Sequence, residues 1–149
     1  MRRLYLNPFQ MVFPLNTRRS QAADRILNTN LHQASGKDFM ITIRRKDEYA
    51  LGGSFDFAVD KFFEIMTPNS MSWRGLSMES RQWNIEVGSD KIKYHWDLSG
   101  IHIQFNDEIS FRKAFQIAEE VSKNLEKHTG YPAKMEISPK PPQSLRDGF

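Results

Sequence analysis

"QWNIEVGSDKIKYHWDLSGIHIQFN", residues 82–106, decides the fold, because apolar and polar side chains alternate through three runs separated by turn-forming residues. Successive strand residues point to opposite faces, so this alternation builds a sheet that is apolar on one side and polar on the other. Taking Ser99-Gly100 as a two-residue turn sets Leu98 opposite Ile101, Trp96 opposite Ile103 and Tyr94 opposite Phe105. The intervening positions then pair Asp97 with His102, His95 with Gln104 and Lys93 with Asn106, all polar. Ser89-Asp90 as the other turn pairs Val87 with Ile92, Ile85 with Tyr94 and Trp83 with Trp96, and sets Glu86 beside Lys93 and Asn84 beside His95. A one-residue slip would turn every side chain over. We therefore expect a three-stranded antiparallel meander with its Trp, Tyr and Phe side chains inside and its imidazoles on the open side.

Working outward, residues 108–128 read as an amphipathic helix with Phe111, Ala114, Phe115, Ala118, Val121 and Leu125 on one stripe. Asp107 and Glu108 suit its start, and Gly130 and Pro132 its end. Residues 133–138 return as a strand through Met135 and Ile137, and the Pro-rich segment 139–149 reads as an extended tail.

On the N-terminal side, Phe39, Ile41 and Ile43 make a strand of 38–46, preceded by a helix over 17–34. Phe55, Ala58, Val59, Phe62, Phe63 and Met66 place a second amphipathic helix over 54–66. Residues 67–81 show no period and too much apolar surface for a free linker, so they read as a packed loop or as an exposed patch awaiting a partner. Phe9, Met11, Phe13 and Leu15 alternate within 1–16, where Pro8 and Pro14 make an edge strand or draped arm. The expected architecture is one two-layer α+β domain: a mainly antiparallel sheet, the meander followed by a long helix and a final strand, with the helices packed on one sheet face.

Composition fits a folded chain of one domain's length, with 149 residues, 39% hydrophobic, 26% charged and 11 Phe, 4 Tyr and 3 Trp. The absence of cysteine excludes disulfides, thiolate metal sites and a Cys nucleophile. With neither a long apolar run nor a signal-peptide core, we expect a soluble, cytoplasmic protein and no membrane partner. Arg2, Arg3, Arg18 and Arg19 precede the first acidic residue, Asp24, which has the composition of an organelle transit peptide; Pro8 and Pro14 would break its helix. Gly52-Gly53 lacks the remaining residues of a phosphate loop, and Asn7-Pro8-Phe9 is too short a motif to carry a function.

His95 and Asp97 point the same way and His102 lies across the hairpin, which is a possible ligand set. An open, flat sheet face supplies neither the enclosure nor the nucleophile that catalysis needs, so we assign the chain no catalytic residue, metal or cofactor. Trp83 and Trp96 suit base stacking only if their face is open, and the amphipathic helices need that face for burial.

The sequence thus favours a non-enzymatic protein-binding module: an inhibitor, immunity-type factor, chaperone or small assembly subunit, with a homo-oligomer also possible. Its surface would be the polar face of Asn84, Glu86, Lys93, His95, Asp97, His102, Gln104 and Asn106, with Met71 and Trp73 as neighbouring anchors. The alternative is nucleic-acid binding, should Arg2, Arg3, Arg18 and Arg19 lie beside Arg44, Arg45 and Lys46; the net charge of +3 is only a mild excess. A third possibility is an enzyme whose pocket the sequence does not display.

Overall fold

A computed structural model describes residues 33–47 and 59–140. The expected arm, the helix over 17–34 up to residue 32, the first part of the helix over 54–66 and the tail beyond Lys140 lie outside these residues. Six strands form one antiparallel sheet: β1 (Phe39–Arg45), β2 (Arg74–Glu79), β3 (Gln82–Val87), β4 (Asp90–Asp97), β5 (Gly100–Phe105) and β6 (Ala133–Pro139). Their order across the sheet is β2-β3-β4-β5-β1-β6. Among the described residues two α-helices accompany it: the single turn α1 (Phe62–Ile65), which continues a 3-10 turn at Val59–Lys61, and α2 (Phe111–Thr129).

Both helices pack on the apolar side, giving the expected two-layer α+β architecture. The alternating side chains Ile41, Ile43, Ile85, Ile92, Tyr94, Ile103 and Phe105 are fully buried in one cluster with Ala114, Ile117, Ala118, Val121 and Leu125 of α2. Phe39 at the base of β1 packs edge-on against Phe111 at 5.3 Å and tilts against Phe105 at 5.9 Å, tying the helix start to the sheet. The helix begins at Phe111, three residues later than the sequence suggests. Ser110 holds an extended backbone and its hydroxyl accepts the Lys113 amide, so Asp107 and Glu108 precede the first turn. Gly130 ends the helix at φ 77°, a left-handed cap that glycine adopts without strain.

The meander has the expected faces and a different register. Across β4 and β5 the partners are Ile92–Phe105, Lys93–Gln104, Tyr94–Ile103, His95–His102, Trp96–Ile101 and Asp97–Gly100. Across β3 and β4 they include Trp83–Tyr94, Asn84–Lys93, Ile85–Ile92 and Glu86–Lys91. The loop residues are therefore Leu98-Ser99 and Gly88-Ser89, not Ser99-Gly100 and Ser89-Asp90, and each pairing moves by two residues. Turn chemistry explains both. Asp97 and Gly100 take the first and last places of a four-residue turn, where type I turns favour Asp and Gly, and Asp97 Oδ1 accepts the Ser99 amide at 2.8 Å. Gly100 has φ 127°, and a Cβ there would lie 2.4 Å from the Ile43 carbonyl oxygen on β1, so the position needs glycine twice over. Gly88, at φ 64°, supplies the positive φ of a glycine-first hairpin turn.

Three further expectations are corrected. The packed loop over 67–81 contains β2, an edge strand exposed along its whole length and bulged between Gly75 and Ser77; with neither side covered, it has no alternation to read. In the helix over 54–66, Phe63 is 52% exposed while Ile65 is buried, because the 3-10 turn before α1 changes the phase of the expected stripe. Pro139 and Lys140, assigned to the tail, belong to the domain. Pro139 closes β6 opposite Phe39, and the buried Lys140 ammonium donates to the Phe105 carbonyl and lies 3.3 Å from Asp107 Oδ1.

Candidate functional site

The observed register lays the polar side chains in transverse rows. The longest crosses all six strands as Glu79, Gln82, His95, His102, Thr42 and Glu136. A second runs Ser77, Asn84, Lys93 and Gln104, and a third begins Arg74, Glu86 and Lys91. Within these rows Asn84 Nδ2 donates to Ser77 Oγ at 2.8 Å, and Arg74 forms an ion pair with Glu86. Lys93 is buried among its neighbours, and the side-chain carbonyl oxygens of Asn84 and Gln104 beside it are shielded without a hydrogen-bond partner. No described helix covers this face.

At the centre of the long row, His95 and His102 are directly opposed, with ring centroids 5.9 Å apart and planes 26° from parallel. Asp97, two residues beyond His95, reaches the same side. Its Oδ1 lies 3.1 Å from His102 Nε2 and accepts the Ser99 hydroxyl at 2.6 Å as well as the Ser99 amide. Ser99 Oγ is also 2.9 Å from His102 Nε2. The other ring nitrogen of His102, Nδ1, is 3.0 Å from the hydroxyl of Thr42, a buried β1 residue. The His102 ring is thus held at both ends. His95 is exposed, the His102 side chain is 17% exposed and that of Asp97 38%.

Partial burial pushes the Asp97 carboxyl up, but the Ser99 hydroxyl and amide together with His102 outweigh it and hold the group at about 2. Asp97 is therefore anionic at neutral pH. On the opposite side of the sheet the Tyr94 hydroxyl lies in the core without a hydrogen-bond partner, and burial raises it well above the ordinary phenol range.

The residues expected to contact a partner fall on two separate surfaces. Asn84, Glu86, Lys93, His95, Asp97, His102 and Gln104 share the polar face. Trp73 instead meets the core residue Trp83 edge-on at 5.5 Å and stacks with Phe63 at 6.3 Å, and Met71 packs against the core. Those two belong with the apolar side near β2, where Met78 is 51% exposed.

The basic cluster is also divided. Arg44 Nε donates to Glu136 Oε1 at 2.9 Å, whereas Arg45 donates to both Asp47 carboxylate oxygens and lies 3.6 Å over the Tyr131 ring. Lys46 is exposed, and Arg2, Arg3, Arg18 and Arg19 lie outside the described residues. Thr42 is the site residue that sequence reasoning missed: as a β-branched residue inside an apolar strand it reads as strand filler, and only the β1–β5 pairing brings it to His102. Among the described residues, no helix is long and apolar enough to cross a membrane. Comparison with known protein families, characterised proteins and solved structures finds no match.

Proposed function

We propose that the chain is a non-enzymatic protein-binding module that presents the polar face of its sheet to a partner, in the manner of an inhibitor, an immunity-type factor, a chaperone or a small assembly subunit. The observation that carries this reading is the asymmetry of the sheet. One side takes both helices and the core, while the other holds polar rows in register with no described helix across it.

Several features suit recognition of another polar surface. Interfaces of non-obligate complexes are about as polar as the rest of a protein surface, and they gain specificity from charge and hydrogen-bond complementarity. A row mixing His95, Gln82 and Glu79 offers both donors and acceptors. The sheet beneath it is pinned by its core, so few side chains must be ordered on binding. The engaged guanidinium groups of Arg44 and Arg45 weigh against nucleic acid as the partner, since phosphate contacts draw on accessible cations.

The test compares proteins captured from the source cell by the native chain, by a polar-face variant (His95→Glu with Gln104→Arg) and by an apolar-side variant (Trp73→Ser with Met78→Ser). Circular dichroism checks that each is folded. A protein captured by the native chain and the apolar-side variant but lost by the polar-face variant is the expected result. Capture that survives the polar-face changes, or no stable capture by the native chain, overturns the reading.

A further inference from the structure

We propose that His95, Asp97 and His102 form a binding site for a divalent transition-metal ion of the zinc class. This goes beyond partner binding and does not depend on it, because the ion would bind the isolated chain.

The geometry begins with the register. Pairing His95 with His102 brings two imidazoles together across β4 and β5, and the alternation of β4 adds Asp97 on the same side. One ligand atom from each of the three residues lies within 4.8 Å of the other two. Two donors bound to one tetrahedral ion at about 2.0–2.1 Å are roughly 3.3 Å apart. His102 Nε2 and Asp97 Oδ1 already stand at 3.1 Å. The remaining adjustment falls on His95, the exposed member of the set, whose ring can move without disturbing the core.

The supporting contact is Thr42. A metal-bound histidine commonly directs its second ring nitrogen at a fixed hydrogen-bond partner, which sets the tautomer and the ring orientation. Thr42 Oγ1, 3.0 Å from His102 Nδ1 and anchored on the neighbouring strand, meets that requirement. When Nδ1–H donates to Thr42, Nε2 presents a lone pair toward the Asp97 carboxylate. In the metal-free chain the other tautomer lets Nε2–H donate to Asp97 Oδ1 or Ser99 Oγ, and an ion would take the place of that proton between Nε2 and Oδ1.

The donor set selects the ion. Two neutral imidazoles and one carboxylate suit zinc, cobalt, nickel or copper, whereas calcium and magnesium prefer shells of oxygen donors. Three protein ligands, of which His95 is exposed, also leave at least one coordination position for water or an incoming group.

The test uses the full chain with any affinity tag removed, titrated with Zn2+ in competition with a chelator and, separately, with Co2+ while its visible absorption is followed. We expect one ion per chain. His95→Ala, Asp97→Asn and His102→Ala should each weaken binding by more than tenfold, and Thr42→Val by about tenfold, the range found for partners of ligating histidines. His128→Ala, on the far end of α2 near Glu64, should leave affinity unchanged. Circular dichroism verifies folding, and His95→Ala, which removes an exposed ring, keeps the test decisive should His102→Ala unfold. Absence of Zn2+ binding, or binding that His95→Ala and Asp97→Asn leave intact, overturns the proposal. So does an ion displaced by His128→Ala. Loss of partner capture with zinc binding retained would defeat only the partner reading.

Discussion

The two faces of the sheet are built from the same strands by the same alternation, yet they answer to different rules. On the apolar face, identity matters because volume must be filled: Phe105, Ile103 and Tyr94 are fully buried in the core cluster. On the polar face, neighbours matter more than volume, since a histidine acquires its chemistry from what stands beside it. A shift of two residues leaves the first face apolar and changes every partnership on the second. The apolar face therefore carries the stability, and the register carries the chemistry.

The largest difference between the faces should appear on comparing adjacent positions of β5. Phe105→Ala opens a cavity in the core and should cost about 3–5 kcal/mol, whereas Gln104→Ala on the polar side removes a shielded carbonyl oxygen that has no partner to lose and should cost no more than about 0.5 kcal/mol, both measured by urea unfolding. Equal losses would break the comparison. Gly100→Ala strikes the point where the turn meets β1. A side chain at φ 127° that also clashes with the Ile43 carbonyl should lower stability by at least ~1–3 kcal/mol. The same change at Gly75, where a Cβ would meet nothing nearer than 3.9 Å, is the control and should cost far less.

Smaller effects sharpen the contrast. Tyr94→Phe removes a buried hydroxyl that has no partner, so it should leave the protein as stable or raise its stability by about 1 kcal/mol. A clear loss would show that the hydroxyl is satisfied in solution. The smallest effect concerns Asp97, whose carboxyl falls from an ordinary 3.8 to about 2 in the fold. A group depressed by folding contributes stability that is complete above its unfolded value and disappears as pH falls through the folded one. Asp97→Asn should therefore lower stability modestly at neutral pH, with the difference from the native chain vanishing as pH falls from about 4 to 2 so that the acid side of the profile flattens; an unaltered profile would contradict the Ser99 and His102 contacts.

Much of this architecture was legible in the residues, because burial on one side imposes alternation and a helix imposes its own period. Trp83, Tyr94 and Phe105 could be assigned to the inside, and His95 to the outside, without coordinates. Alternation is blind to an even-numbered slip, however, since moving a strand by two residues preserves both faces. The signal that distinguishes the two registers is local. Asp97 followed three residues later by Gly100 is a turn signature, and Gly88 belongs inside its turn, not before it. β2 was hidden for the opposite reason, being exposed on both sides and bulged, so burial left no pattern in it. The winding of Val59–Lys61 moved Phe63 outward and Ile65 inward, a change of phase that a regular helical period does not contain. Of the candidate site, the residues were visible and their arrangement was not. The opposition of His95 and His102 follows from the register, and the hold of Thr42 on His102 follows from strand order.

The register itself is open to direct measurement. The Asn106 amide donates to the Lys91 carbonyl, so Lys91–Asn106 is a hydrogen-bonded pair and the alternate pairs of the ladder, including Trp96–Ile101, are the closely spaced ones, with Cα atoms about 4.5 Å apart. A proton NMR cross-peak between the α-protons of Trp96 and Ile101 is the expected result, and it places His95 against His102. A cross-peak from Trp96 to the α-proton of Ile103 would mean that His95 faces Gln104, and would dissolve the site.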